Sequence, residues 1–242
     1  MERKPFIVVV LAITFFAILF YVFAQSNDEN IVEVANVTSP PAVSWQHITI
    51  AEPEQEILIH ISVPRIEDSG HDSVGAVNKE ITQYLELLKN EFIHSVSTVA
   101  YNNGETNTLN IDAEILLINP QLLSLAFTET EHLAGVQDKD SERTFLVFDL
   151  LQGKLMLEDV KLFHDDLAWA NAVEIIKTSL LSAHQGNPSC DLLFAPKSGG
   201  LAASCIGVDW SKGGEHLSIA GDIPVSMIHE LLAPAVLSDV TR

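Results

Sequence analysis

VGAVNKEITQYLELLKNEFIHSVSTV, residues 74–99, decides the fold, because its apolar side chains recur at helical spacing without a break. The recurring residues are Val74, Val77, Ile81, Leu85, Leu88, Phe92, Val96 and Val99. Such a series lies on one face of an α-helix, and Ser69–Asp72 fits a capping box before it. We therefore predict a long helix with one face packed on an apolar surface, most simply a sheet.

Strand-like segments lie on both sides of the predicted helix, as runs of alternating or β-branched apolar residues. They cover residues 43–50, 56–63, 109–118, 122–130, 144–149, 154–157 and 216–220. Pro64 is expected to end the second segment, with Ile57, Ile59 and Ile61 facing one way. Residues 131–142 are predicted to form a polar loop.

Two further helices complete the predicted elements. The first begins at Asp165-Asp166, and its inward face is expected to carry Leu167, Ala170, Val173, Ile176 and Leu180. The second begins at Pro224, because proline is favoured in a first helical turn, and runs to Leu232. Helices and strands mix without a regular βαβ alternation. This order predicts an α+β fold for residues 42–235, a single domain whose largely antiparallel sheet is packed by one long and one or two shorter helices.

The N-terminal region predicts a membrane anchor at residues 6–24. Glu2-Arg3-Lys4 precedes nineteen uncharged, predominantly apolar residues, and a polar, acidic stretch follows them. At about 1.5 Å per residue this run matches the ~30 Å core of a bilayer. The positive pair places residues 1–5 in the cytoplasm. A signal peptide cleaved near Ala24, giving a secreted or periplasmic product, is the alternative. Both interpretations export a polar spacer at 25–41, the domain, and a tail at 236–242.

The exported part is strongly acidic. Residues 25–242 carry 11 of the 13 basic side chains and 32 of the 33 acidic ones, a formal net charge of −21. Nucleic-acid binding is excluded as a function class, because it requires a basic surface. The charge is typical of a soluble, self-repelling surface. It would also steer a cationic partner toward the protein.

Cys190 and Cys205 are the two cysteines of the chain. In an exported protein an isolated pair indicates a disulfide. Pro196–Gly200 is typical of a hairpin turn, and folding at Lys197-Ser198 would bring the cysteines roughly opposite each other. The bond would stabilise the fold by about 3 kcal/mol. Two reduced, buried thiols are the alternative, and a metal site is disfavoured because no further His or Cys lies two to four residues away.

Candidate ligand contacts are few. We find no catalytic motif, cofactor motif or metal-ligand spacing, and we predict a non-enzymatic domain without cofactor or metal. Trp210 is predicted to lie in a loop, where an aromatic ring can stack on a sugar or anchor an interface. Trp169 is expected in the core. His132 lies among acidic residues and is the second candidate, although a lone loop histidine is more commonly only exposed.

Several short sequence segments, taken in order, resemble those of a bacterial extracytoplasmic domain of unknown function. They are Ile57–Pro64 before the long helix, NPQLLSLAF at 119–127, FDLLQGK at 148–154 with LEDVKLF at 157–163, and KGGEHLSIA at 212–220 with Pro224 and Leu231. That domain forms the outer, lysozyme-binding part of RsiV-type anti-sigma factors. It also forms the N-terminal accessory part of PdaC-type peptidoglycan deacetylases. Residues 131–135 depart from the family's Gly-Ala-His element, so contacts made there by relatives are not transferred.

The resemblance implies a membrane-tethered outer domain that binds cell-wall glycan or a cationic envelope protein such as lysozyme. Two alternatives stay open, because one fold can host many activities. One is an envelope hydrolase or glycan-modifying enzyme that uses scattered His and acidic residues, His132 first among them. The other is a spacer or assembly subunit whose partner lies in the same membrane.

Overall fold

A computed structural model describes residues 39–67, 73–98, 105–136, 141–156, 162–182, 189–209 and 215–241. The predicted membrane anchor at 6–24, the capping box at 69–72 and Trp210 lie outside these residues. Within the described ranges, none of the helices has both the length and the apolar character needed to cross a membrane. The described residues form two β-sheets with helices packed on them, which confirms the mixed fold class but not the single sheet.

The larger sheet has six described strands in the order β1-β2-β3-β4-β5-β6. They are β1 (Val43–Glu52), β2 (Ile57–Ile66), β3 (Asn107–Ile118), β4 (Leu122–His132), β5 (Glu142–Asp149) and β6 (Lys154–Leu155). Neighbours are antiparallel except β2 and β3, which run parallel. Helix α1 (Val74–Thr98) connects this pair, because parallel strands need a long crossover. The sequence pattern does not reveal this one βαβ unit.

The long helix and its apolar face are confirmed. α1 buries six of the predicted residues, Val74, Val77, Ile81, Leu85, Leu88 and Phe92. They pack on inward side chains of the sheet such as Ile59, Ile111 and Leu125, which are fully buried. Each large apolar side chain buried in this way stabilises the fold by about 1.5–3 kcal/mol. The common face of Ile57, Ile59 and Ile61 is confirmed by the same core.

The predicted end of β2 at Pro64 is wrong, because Pro64 is buried within the strand, which continues to Ile66. The pairing of β2 with β3 ends at Ser62 opposite Asp112. Because β3 does not pair with β2 beyond this point, the missing N–H of Pro64 interrupts no hydrogen bonds between these two strands. The polar loop is also shorter than predicted, since residues 131–132 belong to β4 and residue 142 begins β5.

The smaller sheet has three described antiparallel strands, β7 (Ser189–Lys197), β8 (Gly200–Asp209) and β9 (Glu215–Pro224). Helices α2 (Asp166–Leu181), α3 (Val225–Ile228) and α4 (Pro234–Val240) contribute to a second core with this sheet. α2 begins as predicted, where the Asp165 side chain accepts a hydrogen bond from Ala168 N at 2.8 Å. Most of the predicted tail lies in α4, and its Val236 and Val240 are buried.

The predicted inward face of α2 is partly wrong. The buried residues are Ala168, Ala172, Ile176 and Leu180. Leu167 is 70% exposed, and Ala170 is exposed too. Apolar residues occupy nearly every position of 167–173, so their spacing alone does not select a face. Alanines at 168 and 172 let the helix backbone approach the small sheet, which the bulkier Leu167 would prevent.

The two sheets pack face to face through small side chains. Ala126 and Val147 of the larger sheet belong to one buried cluster with Ala202 of the smaller. Ser204 Oγ also donates a hydrogen bond to the carbonyl oxygen of Arg143 at 2.7 Å. The smaller sheet therefore covers the larger one near β4 and β5, on the face opposite α1, and β1 lies at the far edge.

The predicted disulfide between Cys190 and Cys205 is confirmed, with Cα atoms 5.4 Å apart. The turn lies one residue later than predicted, at Ser198-Gly199, because Lys197 pairs with Gly200. The two cysteines are diagonal neighbours in the sheet, since Cys190 lies opposite Gly207. A Cβ atom at Gly207 would lie 2.1 Å from the carbonyl oxygen of Ser189. Glycine is therefore required where the two strands come together beside the disulfide.

Candidate functional site

An acidic recess of about 250 Å³ lies between α1 and strands β4 and β5. Its lining residues are Tyr84, Leu88, Glu91 and Ser95 from the helix, and Glu129, Glu131, Glu142 and Thr144 from the sheet. We call this set the acidic recess. The recess begins where the core between α1 and the larger sheet ends. Phe127 of β4 is fully buried in that core, and Glu129 follows it on the same face of the strand.

Strand register places the carboxylates of the sheet side by side. Glu129 lies directly opposite Glu142, and Phe127 lies opposite Thr144. Tyr84 contacts Phe127 edge-on, with ring centroids 5.1 Å apart and ring planes at 64°. The carboxylates concentrate negative charge at this place on the surface, and such a field attracts cationic groups.

Tyr84 contributes a phenol to the acidic recess. Burial raises the pKa of Tyr84 above its usual value of about 10. The negative charges of Glu129, Glu91 and Glu142 raise it further, while a side-chain hydrogen bond with Thr144 acts in the opposite direction. Tyr84 therefore stays protonated at physiological pH. Its hydroxyl supplies a hydrogen-bonding group beside the carboxylates.

His132, the histidine predicted as a candidate, does not belong to the recess. It is half-buried at the end of β4, opposite Thr108 in β3. Side chains alternate between the faces of a strand, so His132 lies on the other face from Glu129 and Glu131. Among the described residues, no group of three or more His, Cys, Asp or Glu side chains is placed to hold a metal ion.

A polar face covers β1 to β3 on the side of the larger sheet opposite α1. Its residues are Trp45, His47, Thr49, His60, Ser62, Asn110 and Asp112. Most of them line a shallow cavity of about 180 Å³, and Trp45 continues the same face of β1 with 46% of its surface exposed. Thr49 Oγ1 and His60 Nδ1 are hydrogen-bonded at 3.3 Å. An open aromatic ring beside hydroxyl, imidazole and amide groups suits stacking and hydrogen bonding to a sugar.

The other tryptophans differ from Trp45. Trp169, expected in the core, is half-buried against the second core. Trp210 lies outside the described residues, so its predicted ligand contact stays a prediction. Trp45 belongs to an alternating strand pattern, in which Trp45, His47 and Thr49 share one face of β1. That pattern is the signal that marks the polar face in the sequence.

The acidic recess could be found only in part from the sequence. Glu129 and Glu131 alternate on a predicted strand, so their common face is visible. Because residues 131–142 are predicted to form a loop, the sequence does not indicate that Glu142 pairs with Glu129. The place of Tyr84 depends on how α1 lies on the sheet, which no local pattern specifies.

The sequence matches no protein-family model and no curated protein. The fold is similar to solved structures. A DUF3298 family protein from Pseudomonas aeruginosa PAO1 matches with a TM-score of 0.50 and 14% identity, covering 83% of this chain and 98% of that protein. A DUF3298 family member from Bacteroides fragilis NCTC 9343 matches with a TM-score of 0.52 and 14% identity, covering 86% and 99%. At this identity the likeness shows the fold alone. The finer resemblance to RsiV-type and PdaC-type proteins stays a prediction.

Proposed function

We propose that this chain is a membrane-anchored extracytoplasmic recognition domain whose ligand is a cationic protein of the cell envelope. The observation that supports this most directly is the acidic recess, where Glu129 opposes Glu142 within an exported part of net charge −21. Such a field raises the association rate and the affinity for a positive partner. It would repel an anionic wall polymer, which favours a protein as the ligand.

Binding of the full chain, purified in detergent, to lysozyme tests the proposal. Lysozyme serves as a cationic wall-acting protein, and a second cationic protein without wall activity measures non-specific attraction. We expect saturable binding to lysozyme that weakens steeply as ionic strength rises. If both proteins bind equally well, the interaction depends only on net charge, and the proposed specific recognition is contradicted.

Matched variants separate the recess from the overall charge. Glu129→Gln with Glu142→Gln removes two charges from the recess. Glu174→Gln with Glu230→Gln removes two from a different surface, lined by α2 and α3. We expect about a tenfold loss of affinity in the first double variant and less than twofold in the second. Equal losses would remove the recess from the proposal.

The proposed anchor has its own test. Full chain retained in the membrane pellet after alkaline extraction supports a membrane-spanning segment at 6–24. Release of a shortened product supports cleavage near Ala24 instead.

Cell-wall glycan is the second candidate ligand, and the exposed Trp45 on the polar face favours it. Soluble peptidoglycan fragments should then bind with little salt dependence. Trp45→Ala should abolish this binding, because the packing of a sugar ring on the face of the indole would be lost. Trp210→Ala is the comparison for the contact predicted from sequence. Binding that survives both changes would contradict this candidate.

A further inference from the structure

The outer edge of β1 is long, regular and open. β1 pairs with β2 from Val43 to Glu52 without a register shift. In the part of the chain that the structure describes, no strand pairs with its other edge. Proteins normally protect such an edge with lysine, proline or a bulge, because it can pair with another chain. The sequence VSWQHITIAE at 43–52 contains neither lysine nor proline.

A groove of about 440 Å³ runs beside this strand, between β1 and α1. Ile48 and Ile50 of β1 line it together with Ile81 and Leu85 of α1. The helix leaves β1 incompletely covered, so Ile48 is 39% exposed. The groove therefore offers apolar surface next to unpaired backbone groups, a combination that suits the side chains of an added strand.

The groove is basic within an acidic domain. Arg65, Lys79 and Lys89 line it, three of the 11 basic residues in the exported part. Glu86 also lines it and forms an ion pair with Lys89. Arg65 and Lys79 are exposed. The charged lining is thus positive overall, opposite in sign to the domain as a whole.

We propose that the edge of β1 and this groove, together the β1 edge site, bind an extended acidic segment of a partner protein by strand addition. The backbone of the segment would pair with β1, and alternate side chains would lie on the α1 side. Apolar side chains there would contact Ile48 and Ile50, and acidic ones would pair with Lys79 or Arg65. The site is separate from the acidic recess, and it does not depend on the proposed function.

A peptide suits this site better than a lipid. A strand edge presents N–H and C=O groups at regular spacing, which only another backbone can match along its length. A bilayer rich in anionic lipid would also meet the net charge of −21, which repels it over a broad surface. A single extended segment avoids that repulsion because it contacts the basic groove alone.

The test uses the full chain in detergent and a short synthetic peptide of repeated Thr-Val-Thr-Glu, in which valine and glutamate lie on the same face of an extended strand. Binding is followed by fluorescence anisotropy, and amide hydrogen exchange is measured across 43–52. We expect slower exchange at the alternate β1 amides that do not pair with β2, since these would gain hydrogen bonds. The same peptide with lysine in place of every glutamate should not bind.

Variants examine the groove. Arg65→Glu with Lys79→Glu should weaken binding of the acidic peptide about tenfold, because two favourable charge contacts become repulsive. Lys154→Glu with Lys177→Glu, an equal change of charge elsewhere, should change it less than twofold. Ile48→Ser should weaken binding about fivefold by removing an apolar contact.

Several results would overturn the proposal. One is equal binding of the acidic and basic peptides, or exchange protection outside β1. Another is slow exchange along the β1 edge in the full chain alone that becomes fast on deletion of residues 25–38, because the occupant would then be the chain's own preceding segment. Anionic phosphatidylglycerol vesicles that protect the same amides and displace the peptide would point to a lipid instead.

Discussion

The side-chain amide of Asn78, on α1, makes both backbone hydrogen bonds to Ile66 at the end of β2. Asn78 Oδ1 accepts from Ile66 N at 3.0 Å, and Asn78 Nδ2 donates to Ile66 O at 2.8 Å. The β2–β3 ladder stops four residues earlier, at Ser62. Asn78 therefore replaces a neighbouring strand, and it fastens the helix to the sheet at the end where the helix begins.

Asn78→Ala should destabilise the protein by about 2 kcal/mol, because two hydrogen bonds are lost beside the buried Ile66. Lys79→Ala, at the exposed neighbouring position, should stay within about 0.5 kcal/mol of the parent. Chemical denaturation of both variants measures the difference. Equal stability of Asn78→Ala and Lys79→Ala would mean that water replaces the amide at no cost.

The disulfide should contribute about 3 kcal/mol to the free energy of unfolding, since it closes a loop with a sequence separation of 15. The double variant Cys190→Ser, Cys205→Ser should unfold at correspondingly lower denaturant, and a reducing agent should leave its midpoint unchanged. Reduction of the parent should shift its midpoint toward that of the variant. A parent insensitive to complete reduction would contradict this contribution.

α1 and the cysteine hairpin could be predicted from the sequence because each depends on local spacing. An unbroken series of apolar residues selects one helix face, and two cysteines flanking a Gly-rich turn select one pairing. Pro64 shows the limit of such local patterns. Its tolerance depends on where β3 stops pairing with β2, a non-local fact. The inward face of α2 is another limit, because nearly uniform apolarity carries no direction.

The acidic recess and the β1 edge site depend on register and on the place of α1. Glu129 meets Glu142 because β4 and β5 pair with that offset and no other. Lys79 lines a groove only because α1 leaves β1 partly uncovered. Sequence spacing predicts which residues share a face of one element. It does not predict which elements face each other.

Gly207 should tolerate no side chain. A Cβ atom there would lie 2.1 Å from Ser189 O and 2.6 Å from Cys190 Cα, so Gly207→Ala must push β7 and β8 apart beside the disulfide. We expect a loss of about 2–3 kcal/mol in the free energy of unfolding.

Gly75 is the matched control, because a Cβ atom at this helical position meets nothing within 4 Å. Gly75→Ala should be neutral or stabilising by up to about 1 kcal/mol. Thermal unfolding that ranks the two variants in the reverse order would contradict the packing described here.

The raised pKa of Tyr84 predicts that the folded protein loses stability at alkaline pH. Burial and the nearby carboxylates raise the pKa of Tyr84 in the folded protein. In the unfolded protein the Tyr84 phenol ionises near the usual tyrosine pKa of about 10. Below about pH 10 both states keep the proton and the full stability is present. As pH rises through the folded pKa, the unfolded state binds fewer protons, and the free energy of unfolding falls.

Tyr84→Phe isolates this effect, because it keeps the ring that contacts Phe127 and removes the titrating hydroxyl. Denaturation midpoints of parent and variant should be compared from neutral pH to about pH 11. We expect the gap between the two curves to change in favour of the variant above about pH 10, since other titrating groups are common to both. A gap that stays constant across this range would show that ionisation of Tyr84 costs the folded and unfolded states equally. The phenol would then be open to solvent, and the recess would not hold its hydroxyl among the carboxylates as described.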